Sequence, residues 1–220
     1  MLEFVIYEEY GYTFSFFCEI SDDMFRPHIE ANFPEFFEEM RGIADGAKQS
    51  LSRIVFWNCF VSFDYMFSNL SDVLNEPHNA HLKSKPMYAE FLESGNKKAT
   101  GAREGGSKDR CSAFIAVGDY TSDGAIVCAH NSFDSYINGQ YSRVILDMRP
   151  SRGHRILMQS FPGGIHSGTD VFVTSCGLFG TETTFGGFNA YVNKDPVCCR
   201  IRRAMQYGNS LDDYAAMLTE

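Results

Sequence analysis

The sequence predicts an α+β fold in which helices come first, short antiparallel strands follow, and helices return at the end. Over residues 34–67, apolar side chains recur at helical spacing. From Cys111 onward the apolar runs become short and β-prone, and glycine-containing turns separate them. Helical spacing returns at Pro196. We therefore expect two domains, a helical one over residues 1–110 and an antiparallel sheet with C-terminal helices over residues 111–220.

Composition and charge limit the partners that the chain can have. With 220 residues, 44% of them hydrophobic, the chain can bury a substantial core. Its formal charge of −9 argues against a nucleic-acid partner, because phosphates are neutralised by clustered Lys and Arg. No apolar run is long enough for a transmembrane helix. The seven cysteines lack Cys-x-x-Cys spacing, so we expect no metal, and no motif calls for a cofactor.

The N-terminal residues Met1–Phe17 lack the basic region of a secretory signal. A cytoplasmic location is therefore the default expectation, with secretion or a lysosomal location left open if the N-terminus is truncated.

The first helical pattern begins at Pro34, a residue suited to the first turn of a helix. Gly46 is expected to close this helix. Leu51–Phe67 is apolar on most faces and predicts a largely buried helix, with a strand as the alternative. Its aromatic side chains indicate core rather than a cofactor site. Met1–Cys18, rich in Phe and Tyr, is compatible with a strand or with buried irregular structure.

A polar segment, Ser94–Arg110, separates the helical and strand patterns. It contains four glycines and five basic residues and predicts a mobile surface loop. Such a composition usually means a plain linker, and a cleavable propeptide joint has the same composition.

The strand patterns after this loop fall into three hairpin pairs. Short strands at hairpin spacing predict an antiparallel sheet. The pairs are Cys111–Val117 with Ala125–Ala129, Val144–Met148 with Arg155–Phe161, and Val171–Thr174 with Leu178–Thr184.

Two helices are expected after the strands. The first begins near Pro196 and ends at Gly208. The second begins at Ser210, which with Asp213 resembles a capping box.

Cys111 is the first candidate for chemistry, because it begins a strand directly after a segment that looks easy to cut. Cleavage of the Arg110–Cys111 bond would give Cys111 a free α-amino group, whose pKa of about 8 suits a base for the thiol proton. This is the logic of an N-terminal-nucleophile hydrolase. Residues 1–110 would then be a propeptide-like segment. Without cleavage, Cys111 is an ordinary strand residue.

Three further groups of residues could contribute to a site. His130 and Asn131 end the second strand, and a hairpin returns that end to Cys111, although a polar turn is an equal interpretation. Glu182 lies in a β-prone run. Burial of its charged side chain without partners would be costly, so it either contacts a substrate or amine, or lies on a solvated face. The glycine-rich stretch around Gly163 lacks the ending of a phosphate-binding loop and offers backbone that can approach a ligand closely.

An ordered set of motifs resembles the phospholipase B-like proteins and the related penicillin acyltransferase group of cysteine N-terminal-nucleophile hydrolases. The resemblance runs from about Phe25 to the C-terminus. It implies a four-layer αββα sandwich, autocatalytic cleavage before the nucleophile and hydrolysis or transfer of an acyl group. The motifs are Arg41–Ala47, Cys111–Phe114, Ala129–Asn131, Phe161–Gly163 and Glu182–Thr184.

The resemblance also implies roles for individual residues. Cys111 matches the nucleophile, His130 with Asn131 matches a pair after the second strand, and Glu182 begins a matching Glu-Thr-Thr segment. We expect these four residues to be catalytic and a further set to bind substrate: Asp134, Gly163, Thr183 and Thr184. Chains of the family continue well past the point that corresponds to Glu220, so we expect the sandwich to be incomplete.

The sequence therefore predicts a self-processing hydrolase or acyltransferase that cleaves the amide bond of a small N-acyl substrate. Three alternatives stay open. One is deacylation of phospholipid esters, with a lipid as the partner, and another is a non-catalytic remnant that only binds a ligand or partner. The third is a papain-like pair of internal Cys111 with His130, His154 or His166, although the local signatures of that class are missing.

Overall fold

The computed structural model describes residues 3, 6, 7, 10–67, 69–94, 111–133, 136–141, 143–167, 171–183 and 194–219. The chain forms two compact units. Unit 1 contains Met1–Glu104 and Phe188–Cys199, and unit 2 contains Gly105–Gly187 and Arg200–Glu220. Helices make up the described part of unit 1, and unit 2 combines antiparallel sheets with helices. The predicted α+β class is confirmed.

Unit 1 is built from helices joined by short connections. Two single 3₁₀ turns, Pro77–Asn79 and Leu82–Ser84, precede its last long helix. The helices are α1 (Phe14–Met24), α2 (Arg26–Asn32), α3 (Pro34–Ala47), α4 (Leu51–Phe67), α5 (Leu70–Asn75) and α6 (Pro86–Ser94). The helix predicted over Leu51–Phe67 is confirmed with the same bounds, and the start of α3 at Pro34 is confirmed as well.

Helix α1 shows that the expectation of a strand or irregular structure was wrong over Phe14–Cys18. The Thr13 hydroxyl caps it by accepting a hydrogen bond of 3.3 Å from the Phe16 N–H. Its buried side chains follow a helical period, which the high Phe and Tyr content concealed in the sequence. They include Phe14, Phe17, Ser21 and Met24.

The predicted end of α3 at Gly46 is wrong, because the helix continues to Ala47. Lys48 takes the left-handed closing position, with φ of 53°. The N–H groups of Lys48 and Gln49 donate to the carbonyls of Asp45 and Ala44. Those two hydrogen bonds form a Schellman closure, which offsets the cost of a left-handed lysine.

An aromatic cluster between α1 and α4 forms the core of unit 1. Phe17 is fully buried and lies edge-on to Phe63, with ring centroids 4.6 Å apart. It also stacks on Phe56 at 5.5 Å. Tyr10 adds an edge contact to Phe67 at 5.3 Å. Phe56, Phe63 and Phe67 of α4 therefore belong to the core, as predicted for its aromatic stripe, whereas Tyr65 is exposed.

In unit 2, the first predicted hairpin is a separate two-stranded sheet. It consists of β1 (Ser112–Gly118) and β2 (Gly124–Asn131), paired antiparallel. Gly118 and Gly124 have positive φ values of 58° and 73° at the two ends of the connecting turn. The hairpin predicted from the sequence is confirmed.

The other two predicted strand pairs are confirmed as one antiparallel sheet in the order β3-β4-β5-β6. Its inner face packs Ile156, Met158 and Phe172 against Met205. Its outer face leaves Leu157 46% exposed. The remaining elements are α7 (Tyr136–Gly139), β3 (Val144–Met148), β4 (Ile156–Ser160), β5 (Val171–Thr174), β6 (Phe179–Thr181), α8 (Val197–Tyr207) and α9 (Leu211–Thr219).

Both C-terminal helices follow the sequence prediction, with Gly208 directly after α8. The Ser210 hydroxyl accepts a hydrogen bond from the Asp213 N–H at 3.1 Å. The Asp213 carboxylate accepts from the N–H of Asn209 rather than from that of Ser210. Across the residues that the structure describes, no helix is long and apolar enough to cross a membrane.

Gly153 and Gly177 offer a matched test of packing in unit 2, because their φ values are 87° and 89°. A Cβ at Gly153 would lie 2.4 Å from the Gln206 carbonyl oxygen, whereas one at Gly177 meets nothing within 4 Å. We expect Gly177→Ala to lower the free energy of unfolding by about 1 kcal/mol, the cost of left-handed backbone. Gly153→Ala should lose about 1–3 kcal/mol more through overpacking. Urea unfolding followed by circular dichroism measures both, and equal losses would contradict the contact.

Candidate active site

Cys111 lies directly before the first residue of β1 and is half-buried. The hairpin register places Ser112 opposite Asn131 and Ala113 opposite His130. The two ends of the hairpin therefore meet at Cys111, as the sequence predicted.

The pleat of the hairpin separates His130 from Asn131. Residues opposite each other in an antiparallel pair share a face, and successive residues alternate between faces. Asn131 shares its face with Ser112 and donates a hydrogen bond of 3.3 Å to the Ser112 hydroxyl. Extending the alternation by one residue puts Cys111 on the other face, with Ala113 and His130. In a regular antiparallel pair, diagonal neighbours on one face have Cα atoms about 7–8 Å apart.

The half-buried His130 ring has one engaged nitrogen and one unengaged nitrogen. Its Nδ1 lies 3.4 Å from the Ser132 hydroxyl. Its Nε2 is shielded from solvent and has no hydrogen-bond partner within the described parts of the chain. A shielded polar atom without a hydrogen-bond partner costs free energy.

Glu182 and Thr183 follow β6, the edge strand of the four-stranded sheet. Glu182 is exposed and Thr183 is half-buried. Because β1 and β2 form their own sheet, strand pairing among the described residues does not bring Glu182 to Cys111.

Gly163 lies in a tight turn after β4. Its φ of 81°, after Pro162, is typical of a type II turn, and the Gly164 N–H donates to the Phe161 carbonyl at 3.0 Å. A Cβ on Gly164 would lie 2.7 Å from the Phe161 ring, so the close approach that the glycines permit is to the chain's own phenylalanine.

Three of the residues proposed from the sequence, Arg110, Asp134 and Thr184, lie outside the described residues, as does the greater part of Ser94–Arg110. The structure gives no geometry for the cleavage point.

The other histidines of the papain-like alternative lie at elements of the four-stranded sheet. The backbone N–H of His154 donates to the Gln206 carbonyl at 2.7 Å, and its Nε2 lies 3.2 Å from the Asn209 side-chain oxygen. His166 is buried edge-on to Phe161, with ring centroids 5.4 Å apart. Both imidazoles have structural neighbours of their own.

Comparison with known proteins finds no matching family model and no matching solved structure. An uncharacterised protein of Archaeoglobus fulgidus is 25% identical over 188 residues. The aligned segment covers 84% of this chain and 28% of that relative, so the chain spans less than a third of the relative's length.

Sequence reasoning missed Ser112 and Ser132, the two hydroxyl groups that contact Asn131 and His130. Alternation along the strand was the available signal: two successive residues, His130 and Asn131, cannot share one face of a hairpin. The register needed to use that signal depends on a bulge between Ala116 and Gly118, which the sequence does not reveal.

Differential alkylation tests the exposure of the cysteines. Burial is the main cause that raises the pKa of Cys18 from 9.0 to about 11, whereas Cys176 is exposed. We expect iodoacetamide at pH 8 to modify Cys176 of the folded protein at least about 100-fold faster than Cys18, since the thiolate is the reacting form. Peptide mass spectrometry measures the rates, with urea-unfolded protein as the control. Equal rates in the folded protein would contradict the burial of Cys18.

Proposed function

We propose that the chain is a self-processing acyl hydrolase or acyltransferase with Cys111 as its nucleophile. Its substrate is a small N-acyl compound, and the acyl group passes through a Cys111 thioester. The proposal includes an αββα arrangement of the N-terminal-nucleophile type. The observation that carries it is the junction at Cys111, a half-buried cysteine directly before a strand whose second residue, Ala113, lies opposite His130.

Self-processing begins when the Cys111 thiol attacks the carbonyl carbon of Arg110. The C–S bond forms, the C–N bond between the two residues breaks, and the released nitrogen gains the thiol proton. Water then hydrolyses the thioester, which leaves a carboxyl group on Arg110 and a thiol with an α-amino group on Cys111. That amino group, with a pKa of about 8, becomes the base of the mature enzyme.

In turnover, the α-amino group takes the thiol proton and Cys111 attacks the acyl carbonyl. The resulting ammonium then protonates the leaving group. An amine departs poorly without a proton, whereas an alkoxide leaves more readily, so this arrangement favours amides over phospholipid esters. The unengaged Nε2 of His130 supplies a hydrogen bond to the substrate. Asn131 lies on the opposite face of the hairpin from His130, and no strand pairing among the described residues links Glu182 to Cys111, so neither is given a role in this step.

A second function, binding without turnover, also has an observation in its favour. Phe114 and Ile126 of the hairpin are 57% and 60% exposed, and Ile145 on the outer face of the four-stranded sheet is 67% exposed. Exposed apolar side chains on sheet faces are typical of interaction sites where they form a patch. In this alternative Cys111 stays internal and the chain does not cut itself.

The proposed function predicts self-cleavage. Folded wild type should convert to two chains, residues 1–110 and 111–220, whereas Cys111→Ala should stay intact. Cys111→Ser should cleave more slowly, because a hydroxyl is a poorer nucleophile than a thiolate. Intact-mass spectrometry over time measures the conversion.

Cys128→Ala is the matched control for this test, because Cys128 is a half-buried cysteine of the same hairpin. It should cleave at the wild-type rate. A folded wild type that stays a single chain would rule out self-processing and favour binding without turnover.

The proposed function also predicts a substrate preference. We expect Cys111-dependent acyl release from N-acyl amides to exceed release from phosphatidylcholine with the same acyl chain. Chromatographic assay of the free acid measures both, with Cys111→Ala as the blank. Release from the phospholipid alone would replace the amidase by a phospholipid deacylase.

A further inference from the structure

Three buried cysteines meet inside unit 1, where the start of α8 contacts α4. The sulfur of Cys198 lies 3.8 Å from that of Cys59 and 3.8 Å from that of Cys199. Cys59 and Cys199 are 0% exposed, and Cys198 is 2% exposed. The Val197 N–H anchors the same contact by donating to the Ser62 hydroxyl at 2.8 Å. Two sulfurs that are 139 residues apart in the chain are therefore held in van der Waals contact.

The contact between Cys59 and Cys198 suits a disulfide better than other thiol chemistry. Over the described residues, no three His, Cys, Asp or Glu side chains are grouped to hold a metal ion. Burial, together with the hydrogen bond to Cys198, raises the pKa of the Cys59 thiol well above its ordinary value, which makes it a poor nucleophile in the folded state. A disulfide requires the sulfurs to approach to about 2.05 Å, a movement of about 1.8 Å.

Cys198 is a better partner for Cys59 than for its neighbour Cys199. Adjacent residues of a helix such as α8 point about 100° apart, so a bond between them would distort the helical backbone. Cys59 comes from a different helix, and its sulfur already faces Cys198 across the contact.

We propose that Cys59 and Cys198 form a disulfide when the chain folds in the presence of a low-molecular-weight disulfide such as oxidised glutathione. One cysteine thiolate attacks oxidised glutathione, which forms a mixed disulfide and releases one glutathione thiolate. The second cysteine thiolate attacks the protein sulfur of the mixed disulfide and releases the other glutathione. The two cysteines lose two protons and two electrons, and oxidised glutathione gains them as two thiols.

Burial determines when the reaction occurs. The finished core excludes glutathione from both sulfurs, so the exchange takes place while α4 and α8 are still separated during folding. Reduced protein that is already folded should oxidise slowly.

If the chain cuts itself as proposed, the disulfide has a second consequence. This consequence, unlike the disulfide itself, rests on the proposed function. Cleavage before Cys111 leaves Cys59 in the first chain and Cys198 in the second. The second chain keeps residues 194–199 within unit 1. The Cys59–Cys198 disulfide would hold the two chains together covalently after processing.

Refolding in a glutathione buffer tests the disulfide whether or not the chain is cut. Reduced, unfolded protein is refolded with oxidised and reduced glutathione, or with dithiothreitol, and then digested with pepsin at acid pH. We expect a peptide linking Cys59 to Cys198 only after glutathione. We also expect the urea midpoint of unit 1, followed by the fluorescence of Trp57, to rise by roughly 1 M. Cys198→Ala should remove the link and Cys199→Ala should keep it.

Protein that recovers its native Trp57 fluorescence without the link would overturn the proposal, and so would a link from Cys59 to Cys199 or to another cysteine. If Cys198→Ala does not fold, Cys59→Ala provides the same test from the other helix. Peptide mapping detects the Cys59–Cys198 link in the uncut chain as well. If the chain does not cut itself, the disulfide is still tested, and only the proposed covalent joining of two chains is lost. Two processed chains that separate on a non-reducing gel would contradict the disulfide and leave the proposed function standing.

Discussion

The candidate site depends on one constraint, the antiparallel pairing of β1 with β2. Once Ser112 lies opposite Asn131, the pleat assigns every later side chain to one face or the other. Asn131 then shares a face with Ser112, and His130 shares the opposite face with Ala113. A slip of one residue in β2 would bring Asn131 to that face instead. Backbone hydrogen bonds, together with the glycines at the ends of the turn, therefore decide which polar side chain accompanies the thiol.

Apolar burial is uneven between the two units. Phe17 and Phe63 lie in an aromatic cluster that leaves neither side chain exposed. In the four-stranded sheet, Met158 is buried on the inner face, whereas its neighbour Leu157 is 46% exposed on the outer face. A sheet with apolar residues on both faces is typical of one covered on both sides. The two candidate functions differ on this point, since an αββα sandwich would bury the outer face within the enzyme and a binding module would present it to a partner.

Local signals were sufficient for the six strands and for α3, α4, α8 and α9, but not for the other helices of the described residues. Pro34 marks the start of α3, and continuous apolar character identified the buried helix α4, because both effects act within a few residues. Alternating apolar runs bounded by glycine identified the strand pairs for the same reason. The end of α3 was missed because Lys48 rather than a glycine adopts the left-handed closing position. At Lys48, two backbone hydrogen bonds outweigh the unfavourable left-handed backbone of a lysine.

The sequence by itself determined the α+β class, the order of the elements and the position of Cys111 at the start of a strand. These depend on composition and on the spacing of neighbouring residues. Only the tertiary structure decided that His130 lies opposite Ala113 and Asn131 opposite Ser112, because strand register is a contact between distant residues. It also decided that Cys59 meets Cys198, since no local pattern links two residues that lie 139 positions apart.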